Sequence, residues 1–315
     1  MPVKHFTKTD DFTREGYLEV FRRAKIFQEG LEKGKNFTNV CPGKVIATMF
    51  FQESARTASL FQMAMIRLGG GWIGISGTAG TYVNSGEEDM RDFLNGYAAF
   101  SDIMAVRHKS LDLSEMARDF PIPLMNGMCG GDEHSLGALG WIYSLSKRFG
   151  DLSKIKVGVY GMTKSSRPTK ALIKALSIFK AEIHEDPVIE SFRTPEHIQE
   201  FVKKNGGNLI PDKYDNFLNK MDFILIAEGL PQKGEDKKLV EKYNDKFKIL
   251  SQEEVNRLKP GALIEYGEPR MMTNGKLIAK EEVDNDPRIM NKVFMKEFIY
   301  VTMGLITYLL DIEVR

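Results

Sequence analysis

The sequence predicts an α/β protein of two domains, each a mostly parallel sheet flanked by helices. Three observations lead there. Apolar runs of strand length alternate with segments whose apolar residues recur at helical spacing. That alternation is interrupted once, by a long helical segment from about His134 to Phe149 that stops at Gly150, and then begins again. A chain of 315 residues is also longer than one ordinary core accommodates.

Residues 12–34 read as a helix with Phe12, Tyr17, Val20, Phe21, Ala24 and Phe27 on one apolar face. Val45–Phe51 reads as a buried strand. The helix that opens at Ser54 carries Leu60, Phe61, Ala64, Met65 and Leu68 inward and stops at Gly69-Gly70-Gly71. Trp72–Ile75, a helix across Glu88–Phe100 and the strand Ile103–Val106 follow. The second half starts with the strand Lys156–Tyr160 and a loop to a helix over about Pro168–Phe179. A helix near Pro195–Asn205, the apolar run Phe223–Ile226 and the strand Ala262–Glu265 complete it. Strands joined through helices in this way pair in parallel, with helices on both faces. Lys292–Leu310 is apolar almost all round (Phe294, Phe298, Val301, Met303, Leu305, Ile306, Leu309) and must be buried. No internal repeat, low-complexity segment or sustained heptad interrupts the pattern.

Hydrophobic content of 42% with 28% charge belongs to a soluble globular protein. A net charge of +1 gives no electrostatic case for nucleic acid or an anionic membrane surface. Cys41 and Cys129 are too few for a disulfide framework and fit a reducing cytosol. The N-terminal MPVKHFTKTDDF lacks the apolar core of a signal peptide, and no window reaches the roughly 18 apolar residues of a membrane span. The expectation is a soluble, cytoplasmic protein with no nucleic-acid or membrane partner.

The chemistry concentrates at Ser54-Ala55-Arg56-Thr57, where a strand runs into a helix N-terminus. Free N–H groups, the positive dipole end, hydroxyls and a guanidinium fork gathered there favour phosphate. Taken alone, the four residues are explained equally well by Ser54 as an ordinary N-cap and Arg56 as a solvated first-turn residue. Four other segments put polar groups at strand ends or helix starts: Arg107-His108, the Gly-rich Asn126 to His134, Ser165-Ser166-Arg167-Pro168-Thr169, and Glu265 to Arg270. Ligands in open α/β sheets bind beyond the carboxyl ends of the strands, so these segments are expected to converge on one cleft. Val157-Gly-Val-Tyr-Gly161 lacks the G-x-G-x-x-G spacing, which ranks a nicotinamide enzyme low. His134 has no second His or Cys at metal-ligand spacing.

In this order the chain resembles the aspartate/ornithine carbamoyltransferase family over essentially its whole length, closest to the aspartate carbamoyltransferase catalytic chains. The resemblance is carried by Phe50-Phe51-x-x-Ser54-x-Arg56-Thr57, Arg67-Leu68-Gly69-Gly70, Gly86-Glu87 with Asp89, and Arg107-His108. Pro123, Asn126, Gly127, His134, Arg167 and Pro269-Arg270 continue it. It implies a carbamoyl-phosphate-binding domain of residues 1–136 plus 291–315, to which the last helix returns, and an acceptor domain of residues 137–290. It further implies a homotrimer with active sites between neighbouring subunits, and neither metal nor cofactor. By resemblance Ser54, Ala55, Arg56 and Thr57, joined by Arg107 and His134, would bind the phosphate donor. Arg56, Thr57, Arg107 and His134 would carry catalysis, with Thr57, Arg107 and His134 polarising the carbonyl oxygen. Acyl transfer from a mixed anhydride needs this oxyanion and leaving-phosphate stabilisation more than a covalent nucleophile.

The departures from the family pattern concern the second substrate. The family's His-Pro-Thr-Gln is His134-Ser135-Leu136-Gly137 here, so a glycine replaces the glutamine that usually meets the carbamoyl amide. The lysine of the neighbouring-subunit loop is replaced within Asn84-Ser85-Gly86-Glu87. The Arg-x-Gln segment has become Glu228-Gly229-Leu230-Pro231-Gln232, and His-Pro-Leu-Pro-Arg has become Tyr266-Gly267-Glu268-Pro269-Arg270. Thr81, Ser85, Arg167, Glu228, Gln232, Glu268 and Pro269 are therefore the expected acceptor and neighbouring-loop residues. Two cations are lost and two carboxylates gained, which disfavours a dicarboxylate acceptor unless the glutamates face solvent or Lys164 or Arg270 compensates. The expected function is carbamoyl transfer from carbamoyl phosphate, or a related acyl phosphate, to an amine other than aspartate. A genuine aspartate carbamoyltransferase of pyrimidine synthesis and a catalytically silent phosphate-ligand-binding paralogue remain the alternatives.

Overall fold

The computed structural model describes residues 3–78, 81–227, 235–267, 270, 272–273 and 276–315. It divides into two compact units, residues 1–143 with 296–315 and residues 144–295.

The first unit contains α1 (Arg14–Glu32), β1 (Val45–Phe50), α2 (Ala55–Leu68), β2 (Gly71–Ser76), α3 (Tyr82–Ser85), α4 (Met90–Ala98), β3 (Ile103–Arg107), α5 (Leu113–Ala117) and β4 (Leu124–Asn126), and α6 (Ser135–Phe149) starts in it. Its four strands are all parallel in the order β2-β1-β3-β4. The crossovers are the helices the apolar periodicity marks. Their ends are set by local chemistry: Thr13 accepts from Gly16 N–H at 3.4 Å to open α1. Gly69 closes α2 with φ at 90°, where a Cβ would lie 1.7 Å from the Thr38 carbonyl oxygen, so only glycine fits.

The register decides where the functional segments emerge. Phe50 pairs with Ser76 on one side and Arg107 on the other, and Val106 pairs with Asn126. All four strands therefore end along one edge. The opposite edge is closed by Asp102, whose carboxylate accepts from Val45 N–H at 2.8 Å and holds Lys44 at 2.8 Å.

In the second unit lie β5 (Lys156–Tyr160), α7 (Arg167–Ile178), β6 (Glu182–Asp186), α8 (Glu196–Lys204), β7 (Leu209–Pro211), α9 (Tyr214–Phe217), β8 (Phe223–Ile226), α10 (Lys237–Lys246), α11 (Gln252–Asn256) and β9 (Leu263–Tyr266). The short antiparallel pair β10 (Met272–Thr273) and β11 (Lys276–Leu277) precedes α12 (Asn291–Leu309). Five parallel strands follow the order β7-β6-β5-β8-β9. Their core includes the stacked rings of Tyr160, Tyr214 and Phe247, with centroids 4.2 and 5.1 Å from Tyr160. Asp222 closes the amino edge as Asp102 does in the first sheet, accepting from Lys156 N–H at 2.8 Å and pairing Lys259 at 2.7 Å.

The last helix returns to the first unit. Gly140 on α6 faces the Phe298 ring, which would lie 1.9 Å from a Cβ, and Gly304 on α12 lies against the backbone of α1 at Val20 and Ala24. Packing against two helices explains why α12 is apolar almost all round. Its buried Thr302 and Thr307 are satisfied by donating to the carbonyls of Phe298 and Met303 at 2.7 and 3.0 Å. Among the described residues no helix is long and apolar enough to cross a membrane.

The helices and strands expected from periodicity are present, with ends displaced by one or two residues. Within the two parallel sheets, three short strands were not expected, nor was the β10–β11 pair. β4 spans three residues, β7 is half-exposed and ends in proline, and β6 reads Glu-Ile-His-Glu-Asp, in which four of five side chains are polar. Gly304→Leu should lower stability by roughly 1–3 kcal/mol through overpacking against α1. The urea midpoint checks this, and an unchanged midpoint would show that the helices are not in such close contact.

Candidate active site

The Ser54–Thr57 segment begins four residues beyond the end of β1, where Phe51 N–H donates to the Arg107 carbonyl at 2.9 Å and ties the end of β1 to that of β3. Ser54 occupies the N-cap position of α2, with Ala58 N–H donating to its carbonyl at 3.2 Å, but its side chain makes no cap hydrogen bond. No acidic residue lies in the first turn. By contrast, α4, α5 and α10 each open on an aspartate (Asp89, Asp112, Asp236) that accepts from two backbone N–H groups. The α2 terminus thus keeps its positive end free of a protein carboxylate cap, with Ser54 and Thr57 half-buried and Ala55 and Arg56 exposed. The N-cap explanation of Ser54 therefore fails in its hydrogen bond, though the residue does sit at the cap.

Arg107 is the last residue of β3, half-buried, and its Nη1 donates to the Gly127 carbonyl at 3.3 Å. Its neighbour His108 has a local role. His108 Nδ1 accepts from Leu111 N–H at 3.0 Å and Ser110 N–H at 3.3 Å, and its ring meets Phe51 edge-on at 5.7 Å. Burial pushes this imidazole below the ordinary histidine range, which keeps it a neutral acceptor in the turn.

The Gly-rich connection after β4 is held by a polar network that sequence reasoning did not find. Buried Asn126 accepts on Oδ1 from the N–H groups of Met128 and Cys129 at 2.7 and 2.6 Å, and its Nδ2 donates to the Thr7 carbonyl at 2.5 Å. Met128 takes φ of 93° there. Glu133 Oε2 accepts from Thr9, from its N–H at 3.0 Å and its Oγ1 at 2.7 Å, and the Tyr17 hydroxyl donates to the Thr9 carbonyl at 2.8 Å. No local pattern pairs residues 124 positions apart. The network fixes the residue beside His134. His134 itself caps α6: Ala138 N–H donates to its carbonyl at 3.0 Å, and Gly137 N–H donates to its Nδ1 at 3.3 Å. The structure thus brings Arg107 and the ends of the Ser54–Thr57 and 127–134 segments to the carboxyl edge of one sheet.

The remaining expected residues are on other segments of the chain. In the first unit, Thr81 Oγ1 donates to the Thr78 carbonyl at 2.9 Å, and Ser85 Oγ is 2.9 Å from both the Tyr82 carbonyl and Glu87 Oε2. In the second unit, Ser166 caps α7, accepting from Thr169 N–H at 3.4 Å, and places Arg167 at the first helical position. The two cations named as possible compensators are engaged. Lys164 Nζ lies 3.2 Å from Glu235. Arg270 pairs with Asp284 and donates to the Tyr266 hydroxyl at 2.5 Å. Glu228, Gln232, Glu268 and Pro269 lie outside the described residues. Among the described residues no group of three or more His, Cys, Asp or Glu is placed to hold a metal ion.

Residues 4–147 match the family model described as aspartate/ornithine carbamoyltransferase, carbamoyl-P binding domain. The chain is 27% identical to the aspartate carbamoyltransferase catalytic subunit of Clostridium novyi over 305 residues, and 29% identical to that of Clostridium botulinum over 306; each match covers 96% of both chains. Among solved structures it is similar to the catalytic subunit of M. jannaschii aspartate transcarbamoylase, with TM-score 0.85 and 24% identity over 98% of both chains. It is also similar to the Trypanosoma cruzi aspartate transcarbamoylase in complex with carbamoyl aspartate and phosphate, with TM-score 0.83 and 21% identity over 97% of this chain and 95% of that one. These structural likenesses are likenesses of fold.

The half-buried, neutral His108 gives a pH dependence whose sign is fixed. The unfolded chain takes up a proton near the ordinary value of 6.5 more readily than the folded one, so the stability present above that pH falls as the pH drops below it. His108→Asn, which keeps an acceptor for the two N–H groups and removes the titration, should flatten this loss. Thermal midpoints from pH 7.5 down to pH 5.5 (roughly the span of one histidine titration) measure it, and parallel profiles for the two proteins would refute the assignment.

Proposed function

We infer that the protein, whose residues 4–147 match the aspartate/ornithine carbamoyltransferase, carbamoyl-P binding domain model, is a carbamoyltransferase, moving a carbamoyl group from carbamoyl phosphate to an amine other than aspartate. The observation that carries the donor half is the α2 terminus, a helix start with an uncommitted serine hydroxyl, no first-turn acid and an arginine in its first turn. Ser54, Ala55, Arg56 and Thr57 bind the phosphate, Arg56 as the bidentate partner, and Arg107 joins them. Thr57, Arg107 and His134 stabilise the charge that develops on the carbonyl oxygen. The amine lone pair forms the new C–N bond, the C–O bond to phosphate breaks, and the departing phosphate takes the amine proton. No covalent enzyme intermediate is needed, and positioning supplies much of the rate.

The acceptor half is drawn from Arg167, Glu228, Gln232, Glu268 and Pro269, with Thr81 and Ser85 from a neighbouring subunit of a homotrimer. Exposed Trp72 on the edge strand β2, with Met63 and Ile66 on α2, gives an apolar surface suited to such an assembly. The engaged states of Lys164 and Arg270 support a non-aspartate acceptor, because each already neutralises a protein carboxylate. Aspartate as acceptor is the second reading, favoured by the printed activity of the Clostridium relatives.

Incubation with carbamoyl phosphate and a panel of amines including aspartate, followed by phosphate release, decides among these. Release with another amine supports the proposal, and release only with aspartate moves the protein to the second reading. No release with any acceptor from a folded protein makes it a silent ligand-binding paralogue. Ser54→Ala separates the phosphate role from capping. A lost cap would cost about 1 kcal/mol, whereas an uncommitted hydroxyl leaves the thermal midpoint in place and lowers phosphate affinity. Arg56→Ala should abolish detectable binding of phosphate in calorimetry, and retained affinity would count against the site.

A further inference from the structure

We propose that Gly137 is a positioning residue for His134, holding its imidazole as the Nε2–H tautomer that donates to the carbonyl oxygen. The inference rests on the carbamoyl-transfer role of His134. His134 stands at the N-cap of α6, a place usually taken by Ser, Thr, Asp or Asn, and its ring does what those side chains do: Nδ1 accepts from the N–H three residues on, at 3.3 Å. A ring nitrogen that accepts an N–H bond carries no proton, so the neutral ring keeps its proton on Nε2. That is the donor form a developing oxyanion requires.

Glycine makes this geometry available. A Cβ at position 137 would lie 3.1 Å from Nδ1 and 3.3 Å from Cγ and Cε1 of the same ring. The imidazole would have to shift by a few tenths of an ångström, and a hydrogen bond already 3.3 Å long would be lost. Helix formation gives no reason for glycine in this first turn, since alanine is the better helix former. The preceding residue is held independently, because Glu133 is gripped by Thr9 at 2.7 and 3.0 Å. On this account the glycine that stands in place of the family glutamine exchanges a side chain near the carbamoyl group for a fixed histidine tautomer.

The test uses the full chain labelled with 15N-histidine, with His134 assigned by its loss in His134→Gln. Long-range 1H–15N spectra of the wild type should show an unprotonated Nδ1 and a protonated Nε2. Gly137→Ala should keep the circular dichroism spectrum and hold or raise the thermal midpoint. Its His134 signals should move toward a mixture of tautomers, and kcat should fall about tenfold, the effect of one hydrogen bond. Affinity for inorganic phosphate should stay within about threefold, since the phosphate partners are untouched. Gly137→Gln should show the same changes more strongly. An unchanged signature in Gly137→Ala, a wild-type His134 with its neutral proton on Nδ1, or a lost signature with unchanged kcat would each overturn the proposal. The expected signatures in a protein that releases no phosphate would uphold the Gly137 assignment and remove the transferase reading.

Discussion

The parallel register of the first sheet is the constraint on which the candidate site depends. Phe50 opposite Arg107, and Val106 opposite Asn126, means that strands far apart in the chain finish on a common line. Parallel pairing leaves the crossover helices on the faces and the loops that follow each strand at one edge, so chemistry gathers there without any segment being specialised to reach it. Asp102 and Asp222 show how the register is secured. In each unit an aspartate just before a central strand bonds the first N–H of the neighbouring strand, at 2.8 Å in both cases. A one-residue slip would cost that charge-assisted bond as well as the burial of β1 or β5.

A second layer of control acts on the connection after β4. Such a glycine-rich stretch has little burial of its own to define it, and loops of this kind sit at the low end of local stability. Here the definition comes from outside the loop. Asn126, 2% exposed, is bonded through both amide atoms, and Thr9, fully buried, spends its N–H and hydroxyl on Glu133. Buried polar groups satisfied in this way are directional where apolar packing is not. Thr7 N–H and Oγ1 both bond Asp11, so the N-terminal segment that grips the loop is itself braced.

What was legible in the sequence follows from which interactions are local. The Ser54–Thr57 helix start and the apolar face of α1 depend on neighbours within a turn or two, and both are legible in place. β6 is not, because Glu185 and Asp186 are buried acids in a strand that hydropathy reads as surface. Their burial is sustained by distant partners: Thr163 and Thr194 bond Glu185, and Tyr214 N–H donates to Asp186 at 2.9 Å. Arg107-His108 was read as one polar unit. The alternation of the chain separates them: Arg107 ends the strand half-buried with its guanidinium on Gly127, while His108 turns to cap the backbone of its own loop. Two adjacent residues, equally suggestive as letters, thus do different work.

The same logic bears on the proposed acceptor region. Counting charges along the sequence gives Lys164 and Arg270 as cations able to offset the glutamates gained in that region. Counting them in space removes both. Arg270 is tied to Asp284, with its guanidinium also 4.8 Å above the Tyr266 ring, and Lys164 is tied to Glu235. A cation already paired offers a second carboxylate only what its partner leaves, and drawing it away uncovers the first acid. Even though exposed pairs are individually weak, their sum near a binding region sets the sign of the field an incoming substrate meets. Among the described residues, Lys164 and Arg270 each stand beside a carboxylate of the same unit.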